Sequence, residues 1–404
     1  MTAMSRVRTG LESFLDPAKG AAGLALGARL GVVAHPASVD AGGRHLVDRL
    51  VSDGRFRVVR LFGPEHGVRG EAQDMEAVDE SVDRATGLPV VSLYGDQEAS
   101  LRPSPAHLRG LDAIVYDLQD VGSRYYTFVY TLSYVMEAAR EAGIPIVVLD
   151  RPNPIGGLAV EGPVLEPELA SFVGRFALPV RHGMTTGELA RLFRDGFGLG
   201  GDLRVVPMTG WSRGQHFEDT GLPWVLPSPN MPTPETARVY PGGCLIEGTN
   251  LSEGRGTTRP FELIGAPWLD AASIAETLSQ AGDDEGLDGV MFRAASFRPM
   301  FQKHAGRTCG GVQIHLTDRD RARPFATYLV LLREIRRAAP DLFDWRRERY
   351  EFVEDRLAID LLLGRAGLRE MIEAHAPLAE MEASWSAGLA RFVAERRRFL
   401  LYPE

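Results

Sequence analysis

Residues Gly63-Pro64-Glu65-His66-Gly67-Val68-Arg69-Gly70 bring a carboxylate, an imidazole and a guanidinium into one short loop. A carboxyl beside an imidazole is a pairing suited to general acid–base work. The glycines at 63, 67 and 70 let the backbone turn sharply and approach a ligand closely. Three further loops carry similar residues: one around His35, one with Asp117, Asp120 and Arg124, and one with Asp150, Arg151 and Asn153. A later segment adds Asn230, Glu247, Asn250, Glu253, Arg255 and Arg259, among the aromatics Tyr125, Tyr126, Trp224, Tyr240 and Trp268. Paired carboxylates are the usual apparatus of glycoside hydrolysis. Asn and Arg side chains hydrogen-bond hydroxyl and acetamido groups, and aromatic rings stack on sugars. Duller roles compete at each position. Asp117 and Asp150 would cap helices, Glu253 and Arg255 would pair with each other, and Tyr125 and Trp268 would fill a core. Asp117, Asp120, His35 and His66 could also converge on a divalent cation, although their spacing is not diagnostic of a metal.

The elements that must position these residues follow from hydrophobic pattern. Arg29–Ala34, Arg57–Phe62, Val90–Gly95, Leu111–Asp117, Ile144–Leu149 and Asp202–Met208 read as strands. Ile144–Leu149 is almost continuously apolar, as in a sheet covered on both faces. Helices are predicted over Gly10–Gly20, His45–Ser52, Tyr125–Ala142 and Thr185–Phe197, the last opening with the capping-box spacing of Thr185 and Glu188. Strands alternating with helices predict a mainly parallel, Rossmann-like α/β sheet. In such a sheet the strand-end loops lie along one edge, where ligands bind. Residues 221–268 are rich in Pro and Gly and poor in helix signal, and read as a long ordered loop region. A second α/β unit follows, with helices at Ala271–Ala281 and Arg323–Ala338, strands at Val290–Phe297 and Gly311–Leu316, and a largely helical tail from Ile359 to Leu401. The expected division is a Rossmann-like domain over 1–210, a connecting segment lining the cleft over 211–270, and a smaller α/β domain over 271–404.

Composition narrows the class. A chain of 404 residues exceeds one typical core, so two domains are expected. A net charge of −9 argues against a nucleic-acid partner. Of the 45 basic side chains only Lys19 and Lys303 are Lys. Cys244 and Cys309 are too few for a disulfide framework or an unaided zinc site, and read as two buried thiols. No apolar run approaches a membrane span, and Met1–Gly10 lacks a signal-peptide core, so the expected compartment is the cytoplasm unless a leader has been removed. The stretch Gly196-Phe197-Gly198-Leu199-Gly200-Gly201 has dinucleotide-loop spacing, but it follows a helix and precedes a strand, the reverse of what phosphate binding needs. With no P-loop and no zinc-protease or serine-hydrolase motif, no cofactor is expected.

Six motifs in one order carry a resemblance. They are Gly63-Pro64-Glu65-His66-Gly67, Ser92-Leu93-Tyr94-Gly95, Asp117 through Thr127, Asp150-Arg151-Pro152-Asn153-Pro154, Ser228-Pro229-Asn230-Met231-Pro232 and Glu247 through Thr257. Together with Phe301-Gln302-Lys303-His304 and Leu400-Leu401-Tyr402, the chain from about Gly31 to Tyr402 resembles the exo-β-N-acetylmuramidases of glycoside hydrolase family 171, formerly a domain of unknown function. Arg69-Gly70-Glu71-Ala72-Gln73 departs from the family pattern by lacking a glycine close behind the alanine. The resemblance implies a cleft between two domains and release of N-acetylmuramic acid from the non-reducing end of peptidoglycan fragments. On that reading Glu65 is the general acid, and His66 orients it or acts in its place. The second carboxylate is Asp120, then Glu253, then Glu247, unless the substrate's own acetamide serves as nucleophile. Arg255 and Arg151 would clamp the lactyl carboxylate. Asn153, Asn230 and Asn250 would bind hydroxyls or the acetamide, with Arg69, Asp117, Arg124, Tyr125 and Glu247 completing the site. The rival readings are a non-catalytic muropeptide-binding protein and a metal-dependent hydrolase using the same cleft.

Overall fold

The computed structural model describes residues 6–65, 67–69, 81–95 and 97–404. The strands of the first sheet are β1 (Arg29–Ala34), β2 (Arg57–Gly63), β3 (Ser81–Val82), β4 (Pro89–Ser92), β5 (Ala113–Asp117), β6 (Ile146–Leu149) and, further along the chain, β9 (Leu203–Val206). A short antiparallel pair, β7 (Glu161–Val164) and β8 (Pro179–Arg181), lies between β6 and β9 in the sequence. The sheet runs β3-β4-β2-β1-β5-β6-β9, parallel throughout except for the β3 edge. Strand alternation divides its apolar residues between two cores. Val32, Val115 and Val147 face helices Gly10–Leu15 and Leu46–Asp53. Val33, Ile114 and Val148 face the helix Phe128–Ala142 and a core that continues into the second half of the chain. Burying both faces is what the near-continuous apolar strands require.

The second sheet is antiparallel, ordered β10-β12-β11, with β10 at Leu263–Ala266, β11 at Val290–Phe297 and β12 at Cys309–Leu316. Helices Ala271–Asp284 and Pro324–Ala338 pack with it, and helices Ala358–Leu363, Leu368–Glu373 and Leu378–Arg396 complete the chain. The tail then returns to the first half. Leu401 N donates to Glu188 Oε1 at 2.8 Å, Arg213 N donates to Pro403 O at 2.9 Å, and Tyr402 Oη donates to buried Asp150.

Two local readings need correction. The helix predicted over Gly10–Gly20 stops at Leu15, because Asp16 ends it and accepts from Ala18 N at 3.1 Å to start a 3₁₀ segment with Pro17. Residues 221–268 are not loop throughout. Pro234–Gly243 is a helix, capped by Thr233, whose Oγ1 accepts from Thr236 N at 3.2 Å. Its glycines hid it from the sequence reading, and they serve packing. A Cβ on Gly242 would lie 2.2 Å from Pro324 O and 2.4 Å from Tyr328 Cδ2, so only glycine lets this helix meet Pro324–Ala338 so closely.

Candidate active site

Two adjoining chambers share Glu247, Arg255 and Glu351. The inner chamber holds about 540 Å³ of atom-free space and the outer one about 1270 Å³. Glu65 lines the inner chamber, in the loop where β2 ends. It is 8% exposed, and Thr127 Oγ1, preceding the helix Phe128–Ala142, donates to its Oε2 at 3.1 Å. Around it stand Tyr125, Tyr126, Phe128, Val173, Met231, Tyr240 and Phe261, with Ser228 and Asn230 as polar members. The rest of the lining is polar or charged: Thr127, Glu247, Arg255, Tyr350 and Glu351.

The polar wall is a chain of ion pairs. Arg255 Nη2 meets Glu247 Oε1 at 2.8 Å and its Nη1 meets Glu253 Oε1 at 3.1 Å. Tyr350 Oη donates to Glu247 Oε2 at 2.8 Å. Lys303 Nζ lies 2.9 Å from Glu253 Oε2. Burial works to raise the Glu253 carboxyl, but Lys303 and Arg255 outweigh it and hold it at about 2. The two cations thus favour Glu253 as the carboxylate. The Arg255 guanidinium lies 5.0 Å from the Phe261 ring centre.

Several candidates from the sequence are not brought to these chambers. Arg151 and Asp117 pair with each other, Nε to Oδ1 at 2.5 Å and Nη2 to Oδ2 at 2.8 Å, with Arg151 only 5% exposed. Of the two arginines expected to clamp a lactyl carboxylate, Arg255 lines the chambers and Arg151 does not. Asp120 is 4% exposed, accepts from Gly122 N at 2.7 Å and stands 3.3 Å from His182 Nε2. Asn153 bridges backbone, donating to Met184 O at 3.0 Å and accepting from Ile155 N at 3.1 Å. Arg124 is fully buried and donates to Leu362 O. Arg69 is held by Asp83 at 3.0 Å and Asp48 at 2.8 Å, beside a separate surface depression. Asn250 lines the outer chamber and donates to Leu342 O at 2.8 Å. His66 lies outside the described residues.

The alternative metal grouping is not assembled. His35 Nε2 accepts from Gln119 N at 2.8 Å, and Asp117 faces Arg151. Among the described residues no three His, Cys, Asp or Glu side chains are grouped to hold a metal ion. Sequence reasoning missed Thr127, Tyr350, Glu351 and Lys303 as members of the site. Glu351 lines both chambers and accepts from Tyr94 Oη at 3.4 Å. Its only sequence signal is position between Tyr350 and Phe352, outside any periodic element.

Comparison with known proteins shows the family. A family model described as the N-terminal part of the exo-β-N-acetylmuramidase NamZ matches residues 30–235, and its C-terminal counterpart matches residues 238–402. The chain belongs to the NamZ family. A curated relative, the peptidoglycan β-N-acetylmuramidase NamZ of Bacillus subtilis strain 168, is 46% identical over 397 residues, covering 98% of this chain and 92% of the relative. Two crystal structures of DUF1343 family proteins from Bacteroides fragilis NCTC 9343 share the NamZ-family fold. One has a TM-score of 0.88 at 33% identity, covering 98% of this chain and 99% of that one. The other has a TM-score of 0.74 at 29% identity, covering 99% and 100%.

Proposed function

We propose that this protein is an exo-acting β-N-acetylmuramidase, a glycoside hydrolase that releases N-acetylmuramic acid from the non-reducing end of peptidoglycan-derived saccharides. The observation that carries the reading is the pairing of whole-chain NamZ-family similarity with a buried carboxylate, Glu65, in a narrow chamber that adjoins a wider one. The wider outer chamber gives the saccharide its room.

In this reading Glu65 protonates the glycosidic oxygen. Thr127 holds one of its oxygens, and the side chain is largely buried. Arg255 recognises the lactyl carboxylate. It stands where the two chambers meet, and the fixed carboxylates of Glu247 and Glu253 set the plane of its guanidinium fork. Asn230 binds a hydroxyl or the acetamide. Glu253 is pinned by Lys303, and Glu247 by Arg255 and Tyr350. Glu351, which lines both chambers, takes the second carboxylate's role. That role is either to activate water or to orient the substrate's acetamide.

The test compares p-nitrophenol release from the β-N-acetylmuramide and the β-N-acetylglucosaminide, with and without EDTA. Turnover of the muramide alone, undiminished by EDTA, is the expected result. Saturable binding of N-acetylmuramic acid without turnover would replace the enzyme by a binding protein. Loss of activity to EDTA would return the assignment to a metal-dependent hydrolase.

A further inference from the structure

One of the two lysines in a chain of 45 basic residues stands at the site. Lys303 Nζ donates to Ile246 O at 2.8 Å and to Thr249 O at 3.0 Å, and it meets Glu253 Oε2 at 2.9 Å. The two carbonyl acceptors and the ion-paired carboxylate come from the 3₁₀ segment Cys244–Gly248, from the residue that ends it, and from the loop beyond. The 3₁₀ segment carries Glu247, so one ammonium group ties together the backbone beneath Glu247 and the side chain of Glu253. Both carboxylates grip the same Arg255. Two cations and two carboxylates make a charge-balanced chain, most of it buried.

The shape of the ammonium explains the choice of residue. It is a compact point charge whose three protons point to three corners, whereas a guanidinium is a planar fork. Two carbonyl acceptors and an ion-paired carboxylate gathered around one nitrogen fit the former. The loop that delivers Lys303 is itself held. Gln302 and His304 on either side have left-handed backbones, with φ of 60° and 59°, and the His304 Nε2 contact with Asn250 O at 2.7 Å ties the loop to the same segment.

We propose that Lys303 is a positioning residue for catalysis: by joining Ile246 O and Thr249 O to Glu253, it sets the Glu253–Arg255–Glu247 chain that presents Arg255 to the substrate. The proposal rests on the muramidase reading above. Lys303 acts through Glu253 and need not touch the sugar. Without it, the charge of Glu253 falls to Arg255 to balance, the guanidinium is drawn towards Glu253, and its grip on Glu247 loosens.

The experiment measures kcat and KM on the p-nitrophenyl β-N-acetylmuramide, with melting curves, for wild type, Lys303→Met, Lys303→Arg, Glu253→Gln and the double variant Lys303→Met/Glu253→Gln. A displacement of about 1 Å at a catalytic group costs on the order of 10²-fold. Losses of that order in kcat/KM are expected in Lys303→Met and equally in Lys303→Arg, because the planar fork cannot replace the ammonium. The double variant should lose no more than the worse single one, since both changes cut the same chain. The acid limb of the kcat/KM profile should move to higher pH in Lys303→Met, a change that loosened packing alone would not produce. Wild-type kinetics in Lys303→Arg, or additive losses in the double variant, would overturn the proposal. If Lys303→Met fails to fold, Glu253→Gln carries the test: it leaves both carbonyl contacts of Lys303 intact, and wild-type kinetics in it would also overturn the proposal. Absence of turnover by the wild type would instead refute the muramidase reading.

Discussion

Replacing Glu65 by Gln changes one atom in the inner chamber and should separate acid catalysis from binding. The substituted side chain fills the same volume, and its amide oxygen can still accept from Thr127 Oγ1, as Glu65 Oε2 does at 3.1 Å. The fold should therefore lose no more than about 1 kcal/mol, the net worth of one hydrogen bond. Catalysis should lose far more. Proton donation in the transition state contributes roughly 10²- to 10⁴-fold, or about 3–5 kcal/mol. The leaving group sets where in that range the loss falls. A p-nitrophenolate departs with little protonation, whereas the sugar alkoxide released from a muramyl disaccharide needs a full proton. Glu65→Gln should thus fall near the bottom of the range on the aryl muramide and near the top on the disaccharide. Parallel assays on both substrates, with calorimetric binding of N-acetylmuramic acid as control, read this directly. Retention of most wild-type activity on the disaccharide would refute the acid role. Equal losses on both substrates would show that Glu65 works by something other than proton donation.

Two further predictions concern charges buried away from the chambers. Burial drives the Asp150 carboxyl up to about 7, outweighing the donors Tyr402, Gly187 and Thr185. Its folded value exceeds its unfolded one of about 3.9, so the folded state holds the proton more tightly, and stability is lost as pH rises from about 4 through 7, by roughly 4 kcal/mol if the whole shift is realised. Asp150→Asn should flatten that loss in denaturant titrations at pH 5 and 8, and an unchanged pH dependence would count against the shifted carboxyl. Arg151→Met leaves Asp117 buried beside no guanidinium and should destabilise by about 3–5 kcal/mol, while the folded fraction keeps its KM, because Arg151 does not line the chambers. A raised KM at undiminished stability would restore Arg151 to substrate binding.

The parallel sheet was legible because its strands are short apolar runs ending in polar loops, and the structure sets those ends along one edge. Glu65, Tyr125, Asn230, Glu247 and Arg255, read from separate motifs, line one chamber. What the sequence could not reveal is which charges neutralise each other. Asp117 ends β5 and Arg151 lies just beyond β6, its neighbour in the sheet, so the two side chains meet and their charges pair before any ligand arrives. Such pairing depends on strand order, which motif spacing does not encode. The helix Pro234–Gly243 was hidden because the glycines that permit its close contact are the residues that weaken a helix signal. Lys303 and Glu351 come from loops far apart in the chain, where no periodicity marks a side chain as facing inward.

Backbone strain gathers at the same place. Phe261, Gln302, His304 and Glu351 all have left-handed backbones, with φ between 51° and 63°, and all line the chambers or flank Lys303. Each such residue costs of order 1–3 kcal/mol and persists only where its surroundings over-determine it. Those surroundings are visible. Phe261 N donates to Glu253 O at 2.6 Å, and Phe261 O accepts from Tyr328 Oη. His304 is tied to Asn250 O, and Glu351 accepts from Tyr94 Oη. Phe261 in turn lies beneath the Arg255 guanidinium, so its unusual backbone sets the surface on which that cation rests. Among the described residues these are four of the seven non-glycine residues with left-handed backbones, the others being Ala21, Ala22 and His375, and the four sit where a fixed charge arrangement is most useful. Groups held in place before the substrate arrives need not reorganise as charge develops at the anomeric carbon, which is how electrostatic preorganisation lowers a barrier. The strained residues and the charge-balanced chain through Lys303, Glu253, Arg255 and Glu247 meet at Arg255, Glu247, Phe261 and Glu351, which line the chamber that holds Glu65.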